Sequence, residues 1–300
     1  MKNIFFCINL CMVLSCATKI STINPLRKGI HSTDSRGNSM LLGTWTKSAL
    51  QEAPYNSWFV KNYNDYKVDS TTANQLNPLF KNKSFQIFLG TWCGDSKREV
   101  PRMLKLLDYC NVDEKKVQIV FVSNHDSVYK QSPFHEEKGK FIFHVPDLLV
   151  YENNVELGKI IESPVVSLEK DLLSIARDRN YEPNYKASAI LTNFLKKDLP
   201  EGNDLEIAEL VAKLKPYIIY ADELNYFGKM LMNGGEYKKA IITFKVNSNL
   251  YPEDITAKER LAIALWKAND LEAAQKCCNE ILSLYPGNTT ASTILKTISN

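Results

Sequence analysis

The chain carries little net charge: 37 Lys and Arg stand against 34 Asp and Glu, a formal +3. No face-wide basic excess is available to neutralise phosphates, so no nucleic-acid partner is expected. Glycine and proline are sparse at 12 each, which excludes a collagen-like chain. No apolar run is long enough for a bilayer-spanning helix, and a mean hydropathy of -0.25 excludes a multi-span membrane protein. A Gly-rich phosphate loop, a zincin helix, a Gly-x-Ser-x-Gly elbow and a paired-carboxylate site are all missing. Nucleotide enzymes, metalloproteases and serine hydrolases lose support accordingly, and neither a cofactor nor a metal is expected. Seven cysteines in 300 residues, three of them in the first sixteen, are too dilute for a disulfide scaffold.

What remains is a globular composition. With 44% apolar and 24% charged residues the chain can bury a substantial core, and its length suggests two domains. It opens with Lys2, an apolar run from Ile4 to Leu14 and the small residues Ser15-Cys16-Ala17. This pattern predicts a secretory signal over residues 1–15. Val13-Leu14-Ser15-Cys16 resembles a bacterial lipobox. That resemblance implies a diacylated Cys16 as the new N-terminus, and thus a lipid anchor in the cell envelope, on the periplasmic or outer-surface side of a bacterial membrane. The alternative is an ordinary signal cut nearby, with Cys16 incidental. Residues 16–40, polar and without hydrophobic period, read as a flexible tether. Four thiols remain beyond Cys16: Cys93, Cys110, Cys277 and Cys278.

Between residues 41 and 82, Trp45, Tyr55, Trp58, Phe59, Tyr63 and Tyr66 fall at helix-compatible spacings around Pro54, which predicts short helices packed on a sheet. The apolar run 84–89 ends at Gly90-Thr91-Trp92-Cys93-Gly94-Asp95-Ser96, after which Val100, Met103, Leu104 and Leu107 recur at helical spacing. This reads as strand, turn, helix. Residues 117–122 form a second apolar strand, and 123–140 a polar loop. His144-Val145-Pro146 leads into a strand at 147–151, paired through Asn153-Asn154 with 156–161. Ser167 opens a helix reaching about Arg177.

From about residue 185 every segment is helical in pattern, and Tyr251-Pro252 recurs as Tyr285-Pro286, 34 positions on. The stretch 221–288 resembles a pair of tetratricopeptide repeats. Aligned on the prolines, Gly228 faces Ala262, Ala240 faces Ala274 and Phe244 faces Cys278, although Lys258 stands where the family prefers an aromatic residue or Leu. The resemblance implies a helical surface for a protein partner, with helices from about 185–220 as a cap or a degenerate third repeat.

Trp92-Cys93-Gly94-Asp95-Ser96 matches the Trp-Cys-x-x-Cys motif in all but its last residue. The chain over about 80–178 therefore resembles a bacterial, membrane-tethered thioredoxin-like protein. The expected architecture is an α/β thioredoxin-like domain over 41–180, with a mixed central sheet flanked by helices and an N-terminal helical extension. An all-α, repeat-like region follows over 181–300. The resemblance implies that Cys93 sits at a helix N-terminus, whose dipole and free N–H groups favour the thiolate, with Lys97 and Arg98 adding to the effect if they reach back. It also implies that Trp92 walls the groove. Pro146 would be the cis-proline facing Cys93, leaving the Val145 backbone free to pair with an extended peptide. Asp95, in the first helical turn, is either a dipole-favoured surface residue or a proton relay.

Ser96 departs from the family, because there a second cysteine releases the mixed disulfide and serine cannot. One reading is thiol–disulfide exchange, or isomerase-like activity, by a monothiol Cys93 whose adducts with protein or small-thiol substrates an external thiol resolves. Another is a redox-inactive binding or chaperone-like module that uses groove and repeats. A peroxidase or a metal site is the remaining possibility. Cys110 lies seventeen residues along the helix, roughly 25 Å from Cys93 and too far to resolve it. Cys277 and Cys278 read as packing residues. His144 is either packed or a base facing Cys93.

Overall fold

The protein is described by a computed structural model covering residues 29–177, 181–196, 202–218 and 220–299. The signal segment, Cys16 and the first part of the tether lie outside the described residues. Six strands form one mixed sheet: β1 Ile30–Thr33, β2 Ser39–Trp45, β3 Lys83–Leu89, β4 Val117–Phe121, β5 Asp147–Glu152 and β6 Val155–Ile161, in the order β1-β2-β4-β3-β5-β6. β3 and β4 run parallel and every other pair is antiparallel.

Two expectations change at the N-terminal edge. Residues 29–40 are not a tether: they build β1, a turn and the start of β2. The turn is held by Asp34, whose carboxylate accepts from the backbone N–H of Arg36 and Asn38 at 2.8 Å each, with Gly37 at φ +82. β1 is a mostly exposed edge strand, and its residues Ile30 to Thr33 leave no apolar–polar alternation to read. The segment that follows begins as β2 rather than as a helix, with Gly43 and Trp45 opposite Phe121 and Ile119 of β4.

Alternation of side chains gives the sheet two different faces. Phe85, Ile87 and Leu89 of β3, Ile119 and Phe121 of β4, and Leu148 and Val150 of β5 face the main core. Helices α1 Asn56–Asp65, α2 Ser70–Leu79, α3 Gly94–Tyr109 and α4 Leu168–Arg177 close that core. α3 connects the parallel strands. The other face carries a smaller cluster, Phe88, Val120, Val122, Ile142, Val145 and Leu149, on which Trp92 and Cys93 pack. β4 and β5 are joined there by a segment without an α-helix. Side chains bridge the strands on this face: Tyr151 OH to Gln86, Gln86 to Gln118 at 2.9 Å, Gln118 to Thr44, and Thr44 to Glu136. The β5–β6 turn has Asn153 and Asn154 both at positive φ, 51 and 65, as a tight two-residue hairpin requires.

Among the described residues seven helices follow: α5 Lys186–Lys196, α6 Asp204–Leu214, α7 Ala221–Asn233, α8 Tyr237–Leu250, α9 Ile255–Lys267, α10 Leu271–Leu284 and α11 Thr289–Ser299. Ala221 and Ile255 open α7 and α9, and Tyr237 and Leu271 open α8 and α10, each pair 34 positions apart. Ala240, Ala262 and Ala274 are wholly buried, and Gly228 lies against the Phe244 ring. The described chain is thus a sheet region followed by a helical region. A shared core joins them, in which Phe141 and Phe143 of the β4–β5 segment pack on Phe227 of α7 at 5.8 and 5.2 Å between ring centres. Lys229 Nζ of α7 also pairs with Asp126 at 2.9 Å.

Candidate functional site

Cys93 is the N-cap of α3, half-buried, with its thiol donating to Val145 O at 3.2 Å. The turn before it is set by Gly90: a Cβ there would stand 2.3 Å from the Trp92 ring. That ring is fixed by Nε1 donating to Val122 O at 3.0 Å and by packing on Tyr129. Cys93 N–H closes the turn onto Gly90 O at 2.9 Å. Ser96 is completely buried and its hydroxyl accepts from Gly90 N–H, so the serine braces the same turn. Opposite lies Val145–Pro146, a cis peptide, with Pro146 O accepting from Glu162 N–H at 2.6 Å.

Not every expected neighbour turns to the thiol. Arg98 is held by Asp95 at 2.8 Å and Glu99 at 2.6 Å, so its charge is engaged by carboxylates. Asp95 correspondingly spends its carboxylate on Arg98. His144 packs against Glu162 and the helical region. Its Nδ1 lies 3.2 Å from Glu162, its ring stacks on Tyr185 at 4.3 Å, and Tyr226 of α7 stands edge-on at 5.7 Å. Burial holds the imidazole below its ordinary range, and the Lys130 charge adds to that effect against the opposing pull of Glu162. Burial alone would raise Glu162. The hydrogen bonds from His144 and Tyr185 outweigh it and hold the carboxyl below its usual value.

The structure adds Lys130, which the polar loop concealed. It is only 4% exposed, at φ +59, and its ammonium donates to Phe143 O. The charge lies 5.0 Å from the Tyr129 ring and 5.8 Å from that of Tyr226. Burial lowers its pKa to about 8, opposed by nearby Cys93 when that thiol is ionised and by Glu162 and Asp147. Asp147 is fully buried and pushed up to about 6 by that burial, even with Lys159 at 2.8 Å. Nothing in a single loop residue signals such burial, because Phe143 and Tyr226, which help to enclose it, lie 13 and 96 positions away.

The other thiols lie apart. Cys110 ends α3, donates to Ala73 O at 3.6 Å, and is pushed up to about 11 by burial. Burial pushes Cys277 up to about 12, and Cys278 is wholly buried beside it. A cavity of about 750 Å³ opens near the far end of α3, between Trp45, Leu104, Leu107 and Ile119, with Lys47 and Asp108 at its rim. Among the described residues its lining includes no thiol or imidazole. Comparison of the chain with protein-family models, with curated proteins and with solved structures gives no match.

Proposed function

We propose that this is a thioredoxin-like, monothiol thiol–disulfide exchange protein of the cell envelope, tethered by lipid on Cys16, with a tetratricopeptide-like helical region that holds a protein partner. The observation that carries the reading is the half-buried Cys93 thiol at the head of α3, 3.2 Å from the carbonyl that precedes cis-Pro146, with a buried serine where a resolving cysteine would stand. In the first step the Cys93 thiolate attacks a disulfide R–S–S–R′, giving Cys93–S–S–R and R′S⁻. In the second an external thiolate attacks the R sulfur, restoring Cys93–S⁻ and leaving a new disulfide. No net electrons are gained, which fits isomerase-like shuffling better than reduction.

Mixed disulfides should therefore persist. Incubation with oxidised glutathione followed by intact mass spectrometry is expected to show one adduct, absent in Cys93→Ser. Ser96→Cys should shorten its lifetime and create insulin-reducing activity. No adduct on folded protein sinks the exchange reading. A binding-module reading draws support from Tyr185 and Tyr226, which pack the helical region onto His144 beside the groove. Under that reading Cys93→Ser keeps its partner.

A further inference from the structure

A buried lysine ordinarily has an anion beside it, because desolvating an unpaired ammonium is costly. Lys130 has no carboxylate within ion-pair distance among the described residues, although it is 96% removed from solvent. Its ammonium donates to Phe143 O. Two residues on, Val145 O accepts from Cys93 Sγ, and on the other side Tyr129, Lys130's neighbour in sequence, packs on Trp92, Cys93's neighbour. The short segment 143–145 and the Trp92–Tyr129 contact thus link the ammonium, which has no carboxylate partner, to the thiol at two points.

We propose that Lys130 is the counter-ion of the Cys93 thiolate, so that the reactive state of the site is a thiolate–ammonium pair with the ammonium inside the fold. The inference deepens the exchange reading and rests on it for the role of Cys93. Lys130 acts through the thiol and is a positioning residue rather than one that touches substrate. The other titratable groups facing Lys130 are Glu162 after β6, Asp147 on β5, Lys229 on α7 and the His144 imidazole, with the Tyr129 and Tyr226 phenols beside it. Of the anions, Cys93 contributes most to keeping the lysine charged. The aromatic rings and the carbonyl hold the ammonium when the thiol is protonated. Ionisation of Cys93 then supplies the missing anion.

The coupling is reciprocal, which provides two independent readouts on the full-length protein. The first is the rate of Cys93 alkylation by iodoacetamide against pH. Lys130→Met is expected to slow it about tenfold at pH 7, the deficit vanishing towards about pH 10, where thiols ionise unaided. A loss that is equal at every pH is a packing effect and overturns the proposal, as does an unchanged rate. The second is the Lys130 titration followed by NMR of isotopically labelled lysine. In Cys93→Ser the Lys130 midpoint should fall, since its supporting anion is gone; an unchanged midpoint overturns the pair. This measurement stands even where Lys130→Met does not fold. The two hypotheses separate cleanly: pH-dependent coupling without glutathione adducts keeps the pair and removes exchange, whereas adducts without coupling do the reverse.

Discussion

At the scale of single residues, the motif around Cys93 is legible because it is local. Trp92, Cys93 and Ser96 sit within five positions, and the strand before them and the helix after them are written in apolar spacing. Lys130, Glu162 and Tyr185 are not legible, since each is an ordinary polar residue until the fold brings them beside His144 and the thiol. Asp147 is a third kind, a carboxylate wholly buried on β5 with its pKa raised to about 6. A carboxyl raised on folding binds its proton more tightly in the native state. Its contribution is therefore fully present below the unfolded value of about 3.9, and is lost as pH rises through about 6. Unfolding free energies from urea titrations at pH 4 to pH 7 should fall across that window by up to about 3 kcal/mol. Asp147→Asn should flatten this component, and a parallel profile in the variant would remove Asp147 as its source.

At the scale of elements, β3 to β6 are readable as apolar runs because they are inner strands or end in the core. β1 is not, because an exposed edge strand needs no apolar face. The 34-residue spacing anticipates where α7 to α10 begin, and the small residues between them mark close helix contacts. Gly228 on α7 is the sharpest case: a Cβ there would come within 2.4 Å of the Phe244 ring on α8. An alanine in mid-helix ordinarily gains about 1 kcal/mol over glycine from helix propensity. Here the buried ring cannot yield easily, so overpacking decides the sign, and Gly228→Ala should cost about 1–3 kcal/mol. Thermal unfolding followed by circular dichroism checks it, and a stabilised variant would show that the two helices can move apart.

At the scale of the whole molecule, the sheet and helical regions meet over aromatic rings rather than along a bare linker. Phe227, wholly buried on α7, is the ring that both Phe141 and Phe143 contact. Truncating a buried Phe typically costs about 3–5 kcal/mol, and here the cavity falls between the two regions. The wild-type chain should unfold in one transition by tryptophan fluorescence and far-ultraviolet circular dichroism alike. Phe227→Ala should split the two signals, because three of the four tryptophans, Trp45, Trp58 and Trp92, lie in the sheet region and Trp266 lies in α9. Coincident transitions in the variant would mean that the seam does not couple the regions. The strand order also sets a timetable for the chain as it emerges from the ribosome. β3 lies between β4 and β5, and β2 pairs with β4, so Gly43 waits for Phe121 and Phe88 waits for Asp147. The thiol at the end of β3 is synthesised well before Val145, the carbonyl that receives it. For that interval Cys93 is a nascent-chain cysteine like any other, and its contact with Val145 exists only once the second half of the sheet has closed.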